Sequence, residues 1–317
     1  MVNISIIILV KNGGAYLEEV LRAVFSQKTD DEFEVVAVDS GSTDNTREIL
    51  GRHPVRVEEI PSSTFNHGET RNLGARLSRG SFLVYLTQDA TPADDHWLGT
   101  LVEPLHEDPL VAGAYSSHRP RKECPLMEKR QILQTVLTSG RERRINTAVG
   151  NPEFSRNPYP FIWFSNTSSC IRKEVWEKVP FRKIEFAEDQ DWAKRVLDAG
   201  YKTVYVPDSI VIHSHHYRPL KNFRRHFEHA KAMREIFGKE EFPQLKAVFS
   251  ATRQSIKADF QFYRSEGGKV PGYCRWVFPS LFWNLSAFSG LWLGTHVERI
   301  PLGLRKRFAL QPSIINR

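Results

Sequence analysis

Cysteine is scarce in this sequence, with only Cys124, Cys170 and Cys274 among 317 residues and no paired spacing between them. That excludes a disulfide framework and a cysteine-ligated zinc site, and it fits a reducing, cytoplasmic compartment. No Gly-x-Gly-x-x-Gly follows the first apolar run; Lys11-Asn12-Gly13-Gly14 stands there instead, and no P-loop occurs. A dinucleotide-dependent dehydrogenase and a P-loop NTPase are therefore not expected. The run Ile4 to Val10 has no basic residues before it, so it lacks a signal-peptide layout, and it is too short to span a membrane. Internal repeats and low-complexity tracts are also missing. The formal net charge of +7 and pI of about 9.3 favour an anionic partner, either a nucleotide or an anionic membrane surface. Without a recognition motif, nucleic acid is not expected.

What is present is an alternation of apolar runs and amphipathic stretches. Ile4 to Val10 reads as a buried parallel strand, and Leu17, Val20, Leu21, Val24 and Phe25 follow helical spacing behind it. Glu34 to Val38 is a second strand, ending in Asp39-Ser40-Gly41-Ser42-Thr43-Asp44. Arg56 to Ile60 is a weaker third strand. Ser81 to Leu86 is a fourth, delivering Thr87-Gln88-Asp89 at its C-terminal end, where open α/β sheets place their ligands. Phe161 to Ile171 and Lys202 to Val206 look strand-like, with a helix opening at Glu188-Asp189 between them. The pattern predicts an α/β fold with a mostly parallel, Rossmann-like sheet flanked by helices over 1–217, divided near 106/107, followed by a helical region over 218–317.

From Glu107 to Pro160 the periodicity weakens and basic residues gather, among them Arg119, Arg121, Lys129, Arg130 and Arg144. These read as a solvated helix face, or as a loop meeting a phosphate. Near the C-terminus, Trp276 to Thr295 runs twenty residues without a charge and holds three tryptophans and three phenylalanines. Its length allows a membrane span; its aromatic and polar content suits a helix lying in the membrane interface, with the basic helix after Tyr217 meeting anionic headgroups. A buried helix or a homodimer contact is the alternative.

An open sheet would gather the strand ends Asp39, Asp89, Glu188-Asp189 and His213/His215 along one edge. Asp39 suits a ribose hydroxyl or a base N–H. His67, Arg71, Asn72 and Gln88 supply an imidazole, a guanidinium and amides for an anionic donor. Asp89, with His213 or His215, suits a divalent ion, Mg²⁺ or Mn²⁺, on a diphosphate. The Glu188-Asp189 pair suits a general base for an incoming hydroxyl, and a helix N-terminus there would favour the ionised form at neutral pH. Asn166 and Trp192 are the candidates on the acceptor side, although Asn166 also suits closing a sheet edge and Trp192 fits the helix's core face better. Group transfer from a nucleotide-diphospho donor is what such a set of groups would serve.

In this order, the strand ending in Lys11-Asn12, Val38-Asp39-Ser40-Gly41-Ser42-Thr43-Asp44, Thr70-Arg71-Asn72-Leu73-Gly74 and Glu188-Asp189 resemble the family 2 glycosyltransferases of GT-A fold. The resemblance runs from about Val2 to Tyr217. Phe65-x-His67-Gly68-x-Thr70-Arg71-Asn72 with Leu86-Thr87-Gln88-Asp89-Ala90 is similar to the rhamnosyltransferase branch. It implies a dTDP-rhamnose donor, inversion at the anomeric carbon, a glycan or polyprenyl-linked glycan acceptor, and a role in surface polysaccharide synthesis. It further implies Asp39 on the base, Arg71 near the donor, Asp89 as the second acid of the metal motif, Asp189 as catalytic base with Glu188 its neighbour, and His213 or His215 at the metal or diphosphate. Thr87 replaces the first acid of that motif, which leaves one carboxylate there. The processive Gln-x-x-Arg-Trp signature is missing after Asp189, implying single addition. A UDP-sugar donor, or nucleotide-sugar binding without turnover, are the competing readings.

Overall fold

The computed structural model describes residues 2–308. The chain divides into two compact units: Met1–Arg121, Ile132–Ile184 and Glu188–Ser214 in the first; Lys122–Gln131, Glu185–Ala187 and His215–Arg317 in the second.

The first unit holds a nine-stranded sheet. Its strands are β1 (Ile4–Val10), β2 (Phe33–Asp39), β3 (Val55–Glu59), β4 (Phe82–Thr87), β5 (Thr91–Pro92), β6 (Val111–Arg119), β7 (Arg144–Thr147), β8 (Ser168–Arg172) and β9 (Lys202–Ile212). They run in the order β3-β2-β1-β4-β8-β6-β9-β5, with β7 also on β9. The half built from β1 to β4 is parallel, as the apolar runs predict. Beyond β4 the sheet is mixed: β8 pairs antiparallel with both β4 and β6, while β6 and β9 run parallel.

Alternation along β1 explains why both faces are covered. Ile4, Ile6 and Ile8 point to one core with Leu17, Val20, Trp97 and Leu101; Ile7 points to the other with Ala75, Tyr85, Phe181 and Trp192. Gly74 lets the helix His67–Leu77 lie against Ile7, since a Cβ there would collide with the Ile7 methyl. The interior strand β6, between β8 and β9, is the element that the sequence pattern hides. Its buried residues include Gly113, Ala114, Ser116 and Ser117. Ser116, Ser168 and Ser209 form a hydroxyl chain that also receives the Trp97 indole N–H, so the polar groups at the centre of the sheet satisfy one another. The strand expected over Phe161 to Ile171 is shorter, beginning only at Ser168.

The second unit is helical. Pro219–Phe237 packs on Val270–Thr295, where Gly290 and Gly294 meet the backbone of the first helix at Phe223 and Phe227. Trp283, Ala287 and Leu291 are buried in this packing, so the uncharged stretch from Trp276 lies within a core helix on one face. Among the described residues no helix is long and apolar enough to cross a membrane, which sets aside the spanning alternative. The last nine residues of the expected C-terminal region lie outside the described residues.

Candidate active site

The C-terminal ends of β1, β2 and β4 place three loops side by side in the first unit. Gln88 ties the first to the third: its Oε1 accepts from the Lys11 N–H at 2.8 Å and its Nε2 donates to the Lys11 carbonyl at 3.1 Å. Asn12 adopts φ 50°, and its Oδ1 accepts from the Thr43 N–H at 2.8 Å. Asp39 is fully buried; Oδ1 accepts from the Ser42 N–H and hydroxyl, and Oδ2 from Arg47 at 3.0 Å. In this structure Asp39 therefore organises its loop, and Arg47 bridges it onward to Glu59.

Asn66 caps the helix His67–Leu77 by accepting from the Glu69 N–H at 3.1 Å. Its Nδ2 donates to the Ile184 carbonyl, which ties the helix start to the segment just before the acidic pair. One turn on, Arg71 is buried and donates to Glu188 Oε1 at 2.5 Å, an ion pair with both side chains below 10% exposed. Burial opposes ionisation of Glu188, but the charges of Arg71 and His67 outweigh it and hold the carboxyl below its ordinary range. Asp189 behaves oppositely. Burial and then the charge of Glu188 push it up to about 7, against the pull of Arg71 and of the backbone N–H groups of Asn166 and Gln190. A helix N-terminus favours the ionised form of Asp189, and burial and the neighbouring Glu188 carboxylate oppose it. Asp189 keeps part of its surface open to solvent while Glu188 is buried.

Asp89 lies at the end of β4, with Oδ1 3.5 Å from His213 Nε2 at the end of β9. The residue that sequence reasoning missed here is Arg121. It is buried and donates to the Asp89 carbonyl at 3.0 Å and the Thr91 hydroxyl at 2.9 Å. It also pairs with Glu19 at 3.0 Å and lies 4.1 Å over the Tyr16 ring. A buried arginine inside a basic run gives no sequence signal that separates it from solvated neighbours. His118, on β6, packs edge-on to His213 with ring centroids 5.9 Å apart. Burial, then the charges of His213 and Arg119, lower His118 to about 3, so it stays neutral. His215 opens the second unit, where it stacks on Tyr217 and its N–H donates to Glu128.

Three candidate residues are engaged within the fold. Asn72 was read as a donor ligand, but its amide is taken up by packing: Nδ2 donates to the Phe181 carbonyl, and Oδ1 accepts from the Trp176 indole and the Phe181 N–H. Trp192 is fully buried against Phe164 and Phe181 with its indole N–H on the Val179 carbonyl, on the core face of its helix. Asn166 is buried and contributes its backbone N–H to Asp189 Oδ2 at 3.3 Å, so it orients that carboxylate instead of lining a surface.

The arrangement puts one partly open carboxylate with a near-neutral pKa beside a locked ion pair, next to loops rich in donors. Comparison with known proteins shows the family. The family model for glycosyl transferase family 2 matches residues 5–165. The O-antigen chain rhamnosyltransferase RfbN of Salmonella typhimurium is 27% identical over 99% of this chain and 96% of its own length. WbaN of Salmonella anatum, another O-antigen chain rhamnosyltransferase, is 28% identical over 92% of this chain and 89% of its own. Among solved structures, a mannosyltransferase from Pyrobaculum calidifontis, crystallised with GDP-Man and Mn²⁺, superposes with a TM-score of 0.59 at 18% identity, over 92% of this chain and 87% of that one. TarS of Staphylococcus aureus with UDP-GlcNAc gives 0.52 at 14% identity, over 90% of each chain. Both share the α/β fold of the sheet described above. With half of its length matched by the family model, the chain belongs to glycosyl transferase family 2.

Proposed function

We propose that this enzyme transfers rhamnose, with inversion, from dTDP-rhamnose to a hydroxyl of a glycan or polyprenyl-linked glycan in surface polysaccharide synthesis. The similarity to two O-antigen rhamnosyltransferases over nearly the whole chain supports the sugar and the process. The observation that carries the mechanism is the division of labour in the acidic pair. Glu188 is held ionised by Arg71 and is not available to take a proton, whereas Asp189 is partly open and sits near neutrality. A single displacement needs one such base and no nucleophilic carboxylate. The acceptor oxygen bonds to the anomeric carbon as the bond to the diphosphate oxygen breaks, and Asp189 takes the hydroxyl proton. The Asn166 and Gln190 N–H groups fix the direction in which that carboxylate points.

Lys11, Asn12, His67 and Gln88 are the proposed donor-side residues, with Asp39 and Arg47 at the nucleoside end. Asp89 and His213 present an oxygen and a nitrogen donor, a set that fits Mn²⁺ or Mg²⁺, and His215 is the next candidate along the chain. Such an ion would neutralise charge developing on the departing diphosphate. Incubating the enzyme with a panel of nucleotide sugars and an acceptor glycolipid extract, followed by mass analysis of the nucleotide released, tests the reading. dTDP should appear only from dTDP-rhamnose. Release of UDP from a UDP-sugar would reassign the donor, and no release from any donor would leave a binding protein without turnover.

A further inference from the structure

The second unit carries a surface that the catalytic reading does not use. The helix Leu245–Ser265 presents Leu245, Phe249 and Ile256 along one stripe; the helix Val270–Thr295 presents Phe278, Leu281, Phe282 and Leu285 at i, i+3, i+4 and i+7. Between them runs an apolar groove of about 350 Å³ lined by Phe249, Ile256, Leu281 and Leu285 with Thr252 and Arg253. Phe249, Phe278 and Phe282 stand 63%, 66% and 57% exposed, well beyond what scattered surface apolar residues require. The exposed charges on the two helices are of one sign, and Glu266, just past the first helix, is paired with Lys129. Every exposed charged side chain on the two helices is basic: Lys246, Arg253, Lys257, Arg264 and Arg275. The one acid, Asp259, is fully buried, paired with Arg130 at 2.6 Å and bonded by Ser280 and Asn284. Among the described residues no carboxylate pairs with Lys246, Arg253, Lys257 or Arg275.

We propose that this two-helix face docks on an anionic lipid bilayer, the phenylalanines entering the headgroup–acyl boundary and the basic ring meeting lipid phosphates. Exposed aromatic side chains framed by unpaired cations are what an interfacial helix pair needs, since apolar insertion and electrostatic attraction add. A second copy fits the same face poorly, because a two-fold contact would bring two basic rings together. A single acyl chain would fill the groove but leave Phe278 and Phe282 in water. The face differs from the one the sequence suggests: Trp283 and Leu291 are in the helix–helix core, and the outward stripe begins with Phe278. The proposal is independent of which sugar the enzyme transfers.

Co-sedimentation of the full-length chain with phosphatidylcholine vesicles, with and without phosphatidylglycerol, tests it. Binding should require the anionic lipid and fall at high salt. Arg253→Gln with Lys257→Gln should lower partitioning by roughly thirtyfold at low salt, following about 1 kcal/mol per cation near the surface. Phe278→Ser with Phe282→Ser should lower it by at least about tenfold with an unchanged circular dichroism melt, since both side chains are exposed. Failure to bind anionic vesicles, or equal binding to both vesicle types, would overturn the proposal. So would a concentration-dependent dimer in light scattering that Phe278→Ser dissociates. Nucleotide release measured without vesicles reports on the catalytic reading separately.

Discussion

Replacing Glu188 by glutamine should make Asp189 a stronger acid and a weaker base. In the native site Asp189 is raised from 3.8 to about 7 by burial and by the Glu188 charge. At a separation on the order of 5 Å and an effective dielectric of about 20, two carboxylates repel by roughly 3 kcal/mol, or about two pK units. Glu188→Gln removes that repulsion and leaves the Arg71 charge acting on Asp189 with no competing carboxylate. The Asp189 pKa should then fall towards about 5. The sign in the assay follows from the role of the base, which must be ionised to accept a proton. Activity is lost as pH drops through its pKa, so the acid limb of kcat/KM should move from near 7 down by about two units. Turnover on the plateau should fall several-fold, because a less basic carboxylate drives proton transfer less. Arg71→Gln works the other way: it removes a cation that lowers Asp189, so the acid limb should rise. It also leaves Glu188 buried and unpaired, at a cost of about 3–5 kcal/mol in denaturant unfolding. The pH–rate profile of each variant, measured with saturating metal, is the assay. An unmoved acid limb in Glu188→Gln, or the same direction of shift in both variants, would refute the coupling.

Asp89→Ala should weaken Mn²⁺ binding, read by titration calorimetry, and transfer should stop in excess EDTA; full activity with the chelator present would exclude the metal site. Arg121→Met should cost roughly 2–3 kcal/mol in urea unfolding, from the loss of charge-assisted bonds to the Asp89 carbonyl, Thr91 and Glu19. It should also lower metal affinity by loosening the Asp89 loop, and an unchanged affinity would separate that loop from Arg121. Gly74→Ala should destabilise by about 1–3 kcal/mol through overpacking against Ile7, seen as a lower Tm with the pH profile unchanged.

The parallel half of the sheet was legible because β1, β2 and β4 are buried on both faces and read as unbroken apolar runs. β6 was not, although it is an interior strand paired on both sides. Its buried glycine, alanines and serines erase the hydrophobic signal, and only the hydroxyl chain through Ser116, Ser168 and Ser209 explains how they can lie there. The strand ends Asp89 and His213 could be placed from sequence because strand termini point at one edge. The pairing of Arg71 with Glu188 could not: these residues are 117 positions apart and no local pattern links them. Asn72 shows the converse, a polar residue in a strong motif whose work is to pin Trp176 and Phe181. The uncharged C-terminal stretch was ambiguous because a helix–helix interface built on Gly290 and Gly294 has the composition of a membrane helix.

The central claim, that Asp189 is the proton acceptor in sugar transfer, is tested most directly by Asp189→Asn. The amide keeps the shape and cannot take a proton. Single-turnover transfer should fall by roughly a hundredfold or more, while the dissociation constant for the nucleotide sugar, measured by calorimetry, stays within about twofold of the native enzyme. Near-native turnover in Asp189→Asn, with abolition in Asp191→Asn instead, would contradict the account and move the base along the helix.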